Sequence, residues 1–206
     1  FFANRQKLKR INGHCQRGSM LDVGAGRGDY GHFMDKNGWS VSLCDPFSEY
    51  KGELEFYDDI SKINKKESFN LITLWHVLEH LHDLDYYLST LNTLLDEDGI
   101  LVLAVPNILA HERQYYGRDW APYEAPRHLY HFSEITLNAL FNKYGFNIEE
   151  SFSMPQDTPY NILLSMKSKS IMQILKAIYV CVQTWMQTLL NGLESASTIM
   201  VICRKE

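Results

Sequence analysis

The stretch MLDVGAGRGDYG, residues 20–31, constrains this chain more than any other. Glycines at 24, 26, 28 and 31 follow an apolar strand pattern and leave bare backbone where side chains would otherwise stand, which is how a loop brings its amides close to a ligand. Two patterns overlay it. From Gly26 to Gly31 it reads G-x-G-x-x-G, the dinucleotide fingerprint, whose first glycine closes a tight turn straight after a strand. From Asp22 it reads D-x-G-x-G-x-G. The apolar run Met20 to Val23 ends at Val23, so the glycine directly behind the strand is Gly24, and Gly31 already falls in the next helix. That favours the second register. Asp45, after the next strand, does not discriminate, because an acidic side chain there can accept ribose hydroxyls in either class.

The rest of the chain alternates short β-type runs with helical patterns, the order expected of an α/β fold with a largely parallel sheet. A helix is expected over much of residues 3 to 16, and strands at Met20 to Val23, Ser40 to Cys44 and Leu54 to Tyr57. FNLITLW (69–75) and ILVLAVP (100–106) read as buried strands, with a helix over 84–96 between them and Gly99 turning the chain. A long polar and aromatic loop from Asn107 to Phe132 precedes a helix from Ser133 and Glu134 to Lys143, capped by Gly145, and FNIEESFSM makes a sixth strand. The 206 residues, 45% hydrophobic and 22% charged, suit one domain over 1–206 with a sizeable core. A net charge of -5 without a basic run argues against nucleic acid as a partner. Cys15, Cys44, Cys181 and Cys203 are too scattered for a C-x-x-C motif, and FFANRQKLKR lacks a signal-type apolar region, so a reducing, cytoplasmic setting is expected.

Taken together, LDVGAGRG, DP after the second strand, WHVLEHLHD after the fourth, LLDEDGILVLAVPN and PRHLYHFSEITLNALFNKYGF resemble the class I S-adenosylmethionine-dependent methyltransferases. The resemblance is greatest to the methyltransferase-domain 23 group, which is similar to the ubiquinone-biosynthesis O-methyltransferases. It runs from about Gly18 to Ile148 and resumes at STIMVICRK. The resemblance implies a Rossmann-like, doubly wound, seven-stranded, mostly parallel sheet in the order 3-2-1-4-5-7-6, with the last strand antiparallel. It implies S-adenosylmethionine as cofactor, gripped by Asp22, Gly24, Ala25, Gly26 and Gly28. Asp22 then helps hold the methionine amino group, Asp45 with Pro46 the ribose, and Asp58 or Asp59 the adenine edge. Trp75 and His76 lie beside the sulfonium. The reaction implied is methyl transfer to an oxygen of a small-molecule acceptor, with nitrogen or carbon as variants. Two other classes stay open: a nicotinamide-dependent oxidoreductase, disfavoured by the glycine register and the lack of a Tyr-x-x-x-Lys pair, and a catalytically silent cofactor-binding module.

HVLEH (76–80) also spells H-x-x-E-H, a zinc-hydrolase pattern that carries two histidines one helical turn apart. Here it follows a buried strand rather than lying within a long helix, so no metal is expected. In the long loop, His128 and His131 flank Tyr130 close behind Arg127, and a histidine there suits removal of an acceptor's proton because its reference pKa is near neutral. Either residue could instead simply tie the loop to the sheet.

Residues 158–193 form a helical insertion before the last strand. Gln173, Lys176, Thr184, Gln187 and Asn191 make a narrow polar stripe, and Ile171, Leu175, Ile178, Val182, Trp185 and Leu189 a broad apolar face. That face is expected to dock on the core or over the acceptor site, with a peripheral membrane or dimer contact through 171–193 as the alternatives. An acceptor with a hydrophobic part would suit it. Three glutamines and a lysine argue against a membrane span.

Overall fold

The computed structural model describes residues 2–168 and 170–206; residue 169 of the expected insertion lies outside them. The chain forms α1 (Phe2–Ile11), β1 (Ser19–Val23), α2 (Asp29–Asp35), β2 (Ser40–Cys44), β3 (Glu55–Tyr57), β4 (Phe69–Trp75), α3 (Leu84–Leu94) and β5 (Leu95–Pro106). There follow α4 (Arg113–Tyr116), α5 (Glu134–Lys143), β6 (Phe146–Ser153), α6 (Asp157–Leu164), α7 (Ile171–Asn191) and β7 (Thr198–Lys205). The seven strands form one sheet in the order β3-β2-β1-β4-β5-β7-β6, as the resemblance implied, with β7 antiparallel to both of its neighbours. Its middle strands are buried on both faces, which is why β4 and most of β5 read as unbroken apolar runs.

The parallel register sets the site. Val23 pairs with Cys44 on one side and Leu74 on the other, and Cys44 pairs with Tyr57. The residues that follow, Gly24, Asp45, Asp58 and Trp75, therefore emerge along one edge of the sheet. The chain order reverses between β1 and β4, so this edge carries the crevice at which such sheets bind ligands. One core joins Leu21, Ile72 and Leu103 to Leu88 and Leu91 of α3 and Phe141 of α5. The other joins Met20, Leu71 and Val102 to Ile11 of α1 and Met34 of α2.

Three expectations change. The first helix stops at Ile11. The segment 107–132 is folded rather than a plain loop: it holds α4 and two 3-10 turns, with Asn107 bridged to Phe132 at its ends. The insertion breaks into α6 and α7, and α7 turns the other way from what its broad apolar face suggested. Its buried residues are Ala177, Val180, Cys181 and Thr184, the last expected on the polar stripe. Ile171, Ile178 and Leu189 are 78%, 58% and 86% exposed. The small stripe packs with Ala110, Tyr116, Trp120 and Ile162 in a third cluster, and the larger side chains of the helix face away from it.

Candidate active site

The glycine loop is built around three positive-φ residues, Gly24, Gly26 and Gly28. Gly24 (φ +73) donates its N–H to Cys44 O at 2.7 Å, and a Cβ there would sit 2.2 Å from Val77 Cγ2. Gly26 (φ +55) donates to Asp45 Oδ2 at 2.8 Å, and a Cβ on it would meet nothing within 4 Å. The first glycine is thus required by the protein's own packing, whereas the second borders open space. Asp45 Oδ1 accepts the Phe47 N–H at 2.8 Å, so one carboxylate braces both sides of the crevice. Gly28 caps α2, and Gly31 lies inside that helix against Leu43, which confirms the D-x-G-x-G register. Pro46 is exposed, and next to it Phe47 presents its ring to solvent at 95% exposure.

Beneath the loop, Asp22 is buried and accepts a hydrogen bond from Thr73 Oγ1 at 2.6 Å. Burial pushes its pKa up to about 7, against the opposing pull of Thr73 and Lys7. Lys7 comes from α1 and places its Nζ 3.6 Å from the centroid of the Trp75 ring. Burial lowers its pKa to about 8, although the charges of Asp157 and Asp22 favour the ammonium. Lys7 thus occupies the Trp75 face as a cation–π partner. Trp75 Nε1 is buried without a hydrogen-bond partner among the described residues.

His76 follows with φ +56, its N–H held by Ala104 O at 2.9 Å. Burial disfavours its charge, but Asp157 (3.3 Å from Nε2) and Glu79 (3.5 Å from Nδ1) outweigh that and raise its pKa to about 9. It keeps its proton at neutral pH. Beyond His76 opens a cleft of about 570 Å³. Glu79 and His80 line one side, Ala121, Pro122, Glu124 and His128 from the segment 107–132 another, and Asp157, Tyr160, Asn161 and Leu164 of α6 the third.

A family model for the methyltransferase domain, group 23, matches residues 3–151. The chain belongs to this methyltransferase family. Membership carries S-adenosylmethionine as the cofactor, and the strand ends fit it: bare backbone beside open space at Gly26 and a carboxylate on the neighbouring strand end. Among solved structures, the methyltransferase resembles the 1,6-didemethyltoxoflavin N1-methyltransferase of Burkholderia thailandensis, with 18% identity, 98% of this chain and 78% of that one covered, and a TM-score of 0.64. An S-adenosylmethionine-dependent methyltransferase of Mesorhizobium loti gives 16% identity, 98% coverage of both chains and 0.64. One from Archaeoglobus fulgidus gives 16%, 99% and 93%, and 0.63. These likenesses concern the fold. No curated protein matches the sequence.

The strand register thus sets Asp22, Gly24, Ala25, Gly26, Asp45, Trp75 and His76 along one end of the sheet. Asp58 and Asp59 stand at the end of β3 but are engaged locally. Asp58 pairs with Lys62 at 2.6 Å, and Asp59 Oδ1 caps its own 3-10 turn by accepting Ser61 N–H at 2.7 Å. HVLEH is a single 3-10 turn, Leu78–His80, and not the helix a zinc hydrolase needs. Of the loop histidines, His128 enters the cleft wall with its side chain 7% exposed, whereas His131 is exposed and packs its ring on Tyr123 outside that wall. Burial, then the neighbouring His128, lowers the His131 pKa. Lys7, Phe47, Thr73 and Asp157 went unnoticed in the sequence, and Glu79 figured there only within HVLEH. Only Phe47, an aromatic directly behind the acidic strand end, carried a local signal.

Proposed function

We propose that the protein transfers the methyl group of S-adenosylmethionine to an oxygen of a small amphiphilic acceptor, leaving S-adenosylhomocysteine. The observation that carries this reading is the adjacency of Trp75, on the cofactor crevice, and His76, the first wall of the cleft. The likeness of the motifs to the ubiquinone-biosynthesis O-methyltransferases supports oxygen over nitrogen or carbon. When bound, the cofactor supplies a carbon activated by positive sulfur, so the protein's task is alignment and removal of one proton.

In this reading Asp45 receives the ribose hydroxyls and Asp22 stands behind the methionine amino group. Phe47 covers the adenine, and Asp59, which spends only Oδ1 on its turn, reaches the adenine edge more readily than Asp58. The acceptor lies in the cleft with its hydroxyl toward the Nε2 atoms of His80 and His128. The cofactor would supply the methyl carbon and keep the electron pair of its C–S bond, and the acceptor's hydroxyl proton would pass to a histidine of this wall. His128 is the better base candidate of the two loop histidines, because it alone lines the cleft.

The insertion favours an acceptor with an apolar body. Leu164 and Tyr160 line the cleft and are themselves 58% and 63% exposed, so the wall continues into the exposed face of α6 and α7. Between Asp157 and Glu194 the chain has no acidic residue but carries Lys167, Lys169 and Lys176. An apolar face beside lysines, in a chain of net charge -5, suits an anionic lipid surface. No helix among the described residues is long and apolar enough to cross a membrane. The test is a methyl-transfer screen of phenolic, sugar and lipid-linked acceptors read by mass spectrometry. Turnover of amphiphilic phenols or lipid-linked hydroxyls supports the reading; a preference for small, wholly polar acceptors contradicts it.

A further inference from the structure

Asn161 of α6 is buried in the wall of the cleft. Its Nδ2 donates to Ser197 Oγ at 2.8 Å, and Ser197 Oγ in turn donates to Glu112 Oε1 at 2.5 Å. Ser197 and Glu112 are buried as well, so solvent competes at neither bond. Counting donors fixes the direction of this chain. A hydroxyl has one proton, and Ser197 spends it on the carboxylate. Burial raises the Glu112 pKa, but Ser197, Trp120 and Thr184 beside it favour the ionised form, whose oxygens only accept. Ser197 therefore has only lone pairs left for Asn161, and the amide turns its NH2 toward it. The carbonyl end faces away from Ser197, and no hydrogen bond reaches Oδ1 among the described residues. The backbone beneath is tied down too. Ser165 Oγ donates to Asn161 O at 2.7 Å and accepts the N–H of Ala121, on the neighbouring wall of the cleft, at 2.8 Å.

We propose that Asn161 selects the acceptor: its Oδ1 accepts a hydrogen bond from a second donor, a hydroxyl or N–H that the acceptor carries apart from the oxygen to be methylated. The proposal rests on reading the cleft as the acceptor site. His80 and His128 stand on the other two walls, so the acceptor is held at two polar points, the reacting hydroxyl at the histidines and the second donor at α6. Tyr160 and Leu164 flank Asn161 on the same helix, which sets this polar contact within the apolar part of the cleft. An amide fixed in one orientation discriminates, because an acceptor without the donor displaces water from Oδ1 and leaves it unpaired. Ser197 and Glu112 do not line the cleft and act only through Asn161. They are positioning residues. Without them the amide is free to present its NH2 instead, which would suit an ether or carbonyl oxygen. Because α6 lies outside the sheet edge that serves the cofactor, the choice of acceptor is separate from cofactor binding.

The test is calorimetry of 5-pentylresorcinol and 3-pentylphenol, which differ by one hydroxyl, on the protein saturated with S-adenosylhomocysteine. Wild type should bind the resorcinol at least about tenfold more tightly, against the greater hydrophobicity of the phenol. Asn161→Leu, close in size but without a polar end, should erase or reverse that preference while S-adenosylhomocysteine binds as before. Ser197→Ala leaves Asn161 in place but frees its amide to turn, and should cut the preference to less than about threefold. A Ser197 that merely supported the fold would lower the melting temperature and leave the ratio alone. The wild-type ratio is independent of whether any variant folds. Equal binding of the two phenols to wild type, binding of neither, or a preference that survives in Asn161→Leu would overturn the proposal. Mass spectrometry of the same mixtures with S-adenosylmethionine separates the claims. A preference lost in Asn161→Leu without methylation of either phenol refutes the oxygen-methylation reading and leaves the role of Asn161 standing; methylation of both phenols at equal affinity does the reverse.

Discussion

Thr73 Oγ1 donates to Asp22 Oδ1 at 2.6 Å across the two central strands, at a carboxyl that is only 2% exposed. Burial raises the Asp22 pKa from 3.8 to about 7 despite that bond. The folded state therefore holds this proton more tightly than the unfolded chain does, and the contribution is full below the unfolded pKa and lost as pH rises through about 7. Thermal melts of the ligand-free protein should show stability falling between about pH 4 and about pH 7, and Asp22→Asn should flatten the fall and melt higher at the upper end. The same variant should bind S-adenosylhomocysteine more weakly. Parallel melting curves for the two proteins would show that Asp22 is not the titrating group.

Gly24 and Gly26 should separate folding from binding. Gly24→Ala drives a methyl into Val77 as well as straining a positive φ, so its melting temperature should drop clearly. Gly26→Ala faces open space and bears only the backbone strain, roughly 1–2 kcal/mol. It should fold yet lose at least about tenfold in S-adenosylhomocysteine affinity, since its methyl would occupy ligand space. Calorimetry and melting on both variants check this, and undiminished affinity in Gly26→Ala would remove the loop from the cofactor site.

The sheet was legible because parallel strands buried on both faces leave no room for polar residues: FNLITLW and ILVLAVP can hardly be anything else. The crevice residues followed from strand ends, since the register that brings Val23 level with Cys44 and Leu74 makes the next residues neighbours. The orientation of α7 was not legible, because both candidate faces are apolar and periodicity cannot choose between Ile178 and the adjacent Ala177. Contact with Trp120 and Tyr116 chooses, and that depends on how the segment 107–132 folds. The same holds for His128 and His131, three residues apart on one segment. Lys7 of α1 and Asp157 of α6 are far apart in the sequence, and only the fold brings the Asp157 charge to bear on the Lys7 ammonium.

For the histidines, His128→Ala should lower methyl transfer by roughly 100-fold on any acceptor that turns over, with S-adenosylhomocysteine affinity nearly intact. His131→Ala, outside the cleft, should cost less than about tenfold. Steady-state kinetics on both variants decide it, and the reverse ranking would return the proton-handling role to His131.

The exposed face of α7 should be dispensable for folding and required for lipid. Ile178→Ser with Leu189→Ser removes apolar groups that already face solvent, so the melting temperature should hold. Co-sedimentation with phosphatidylglycerol vesicles should fall severalfold, and wild type should bind neutral vesicles less well than anionic ones. A stable dimer in sedimentation velocity that the double variant abolishes, without vesicle binding, would assign the face to a second copy instead.

The most direct test of the account is isothermal titration of S-adenosylhomocysteine and of NAD into the purified protein. The crevice at Gly26, Asp45 and Trp75 predicts one-to-one binding of S-adenosylhomocysteine in the micromolar range, and little or no binding of NAD. Asp45→Ala, which removes the carboxylate that braces Gly26 and Phe47, should weaken the former by about 1–3 kcal/mol. Tight NAD binding with no response to S-adenosylhomocysteine would contradict it.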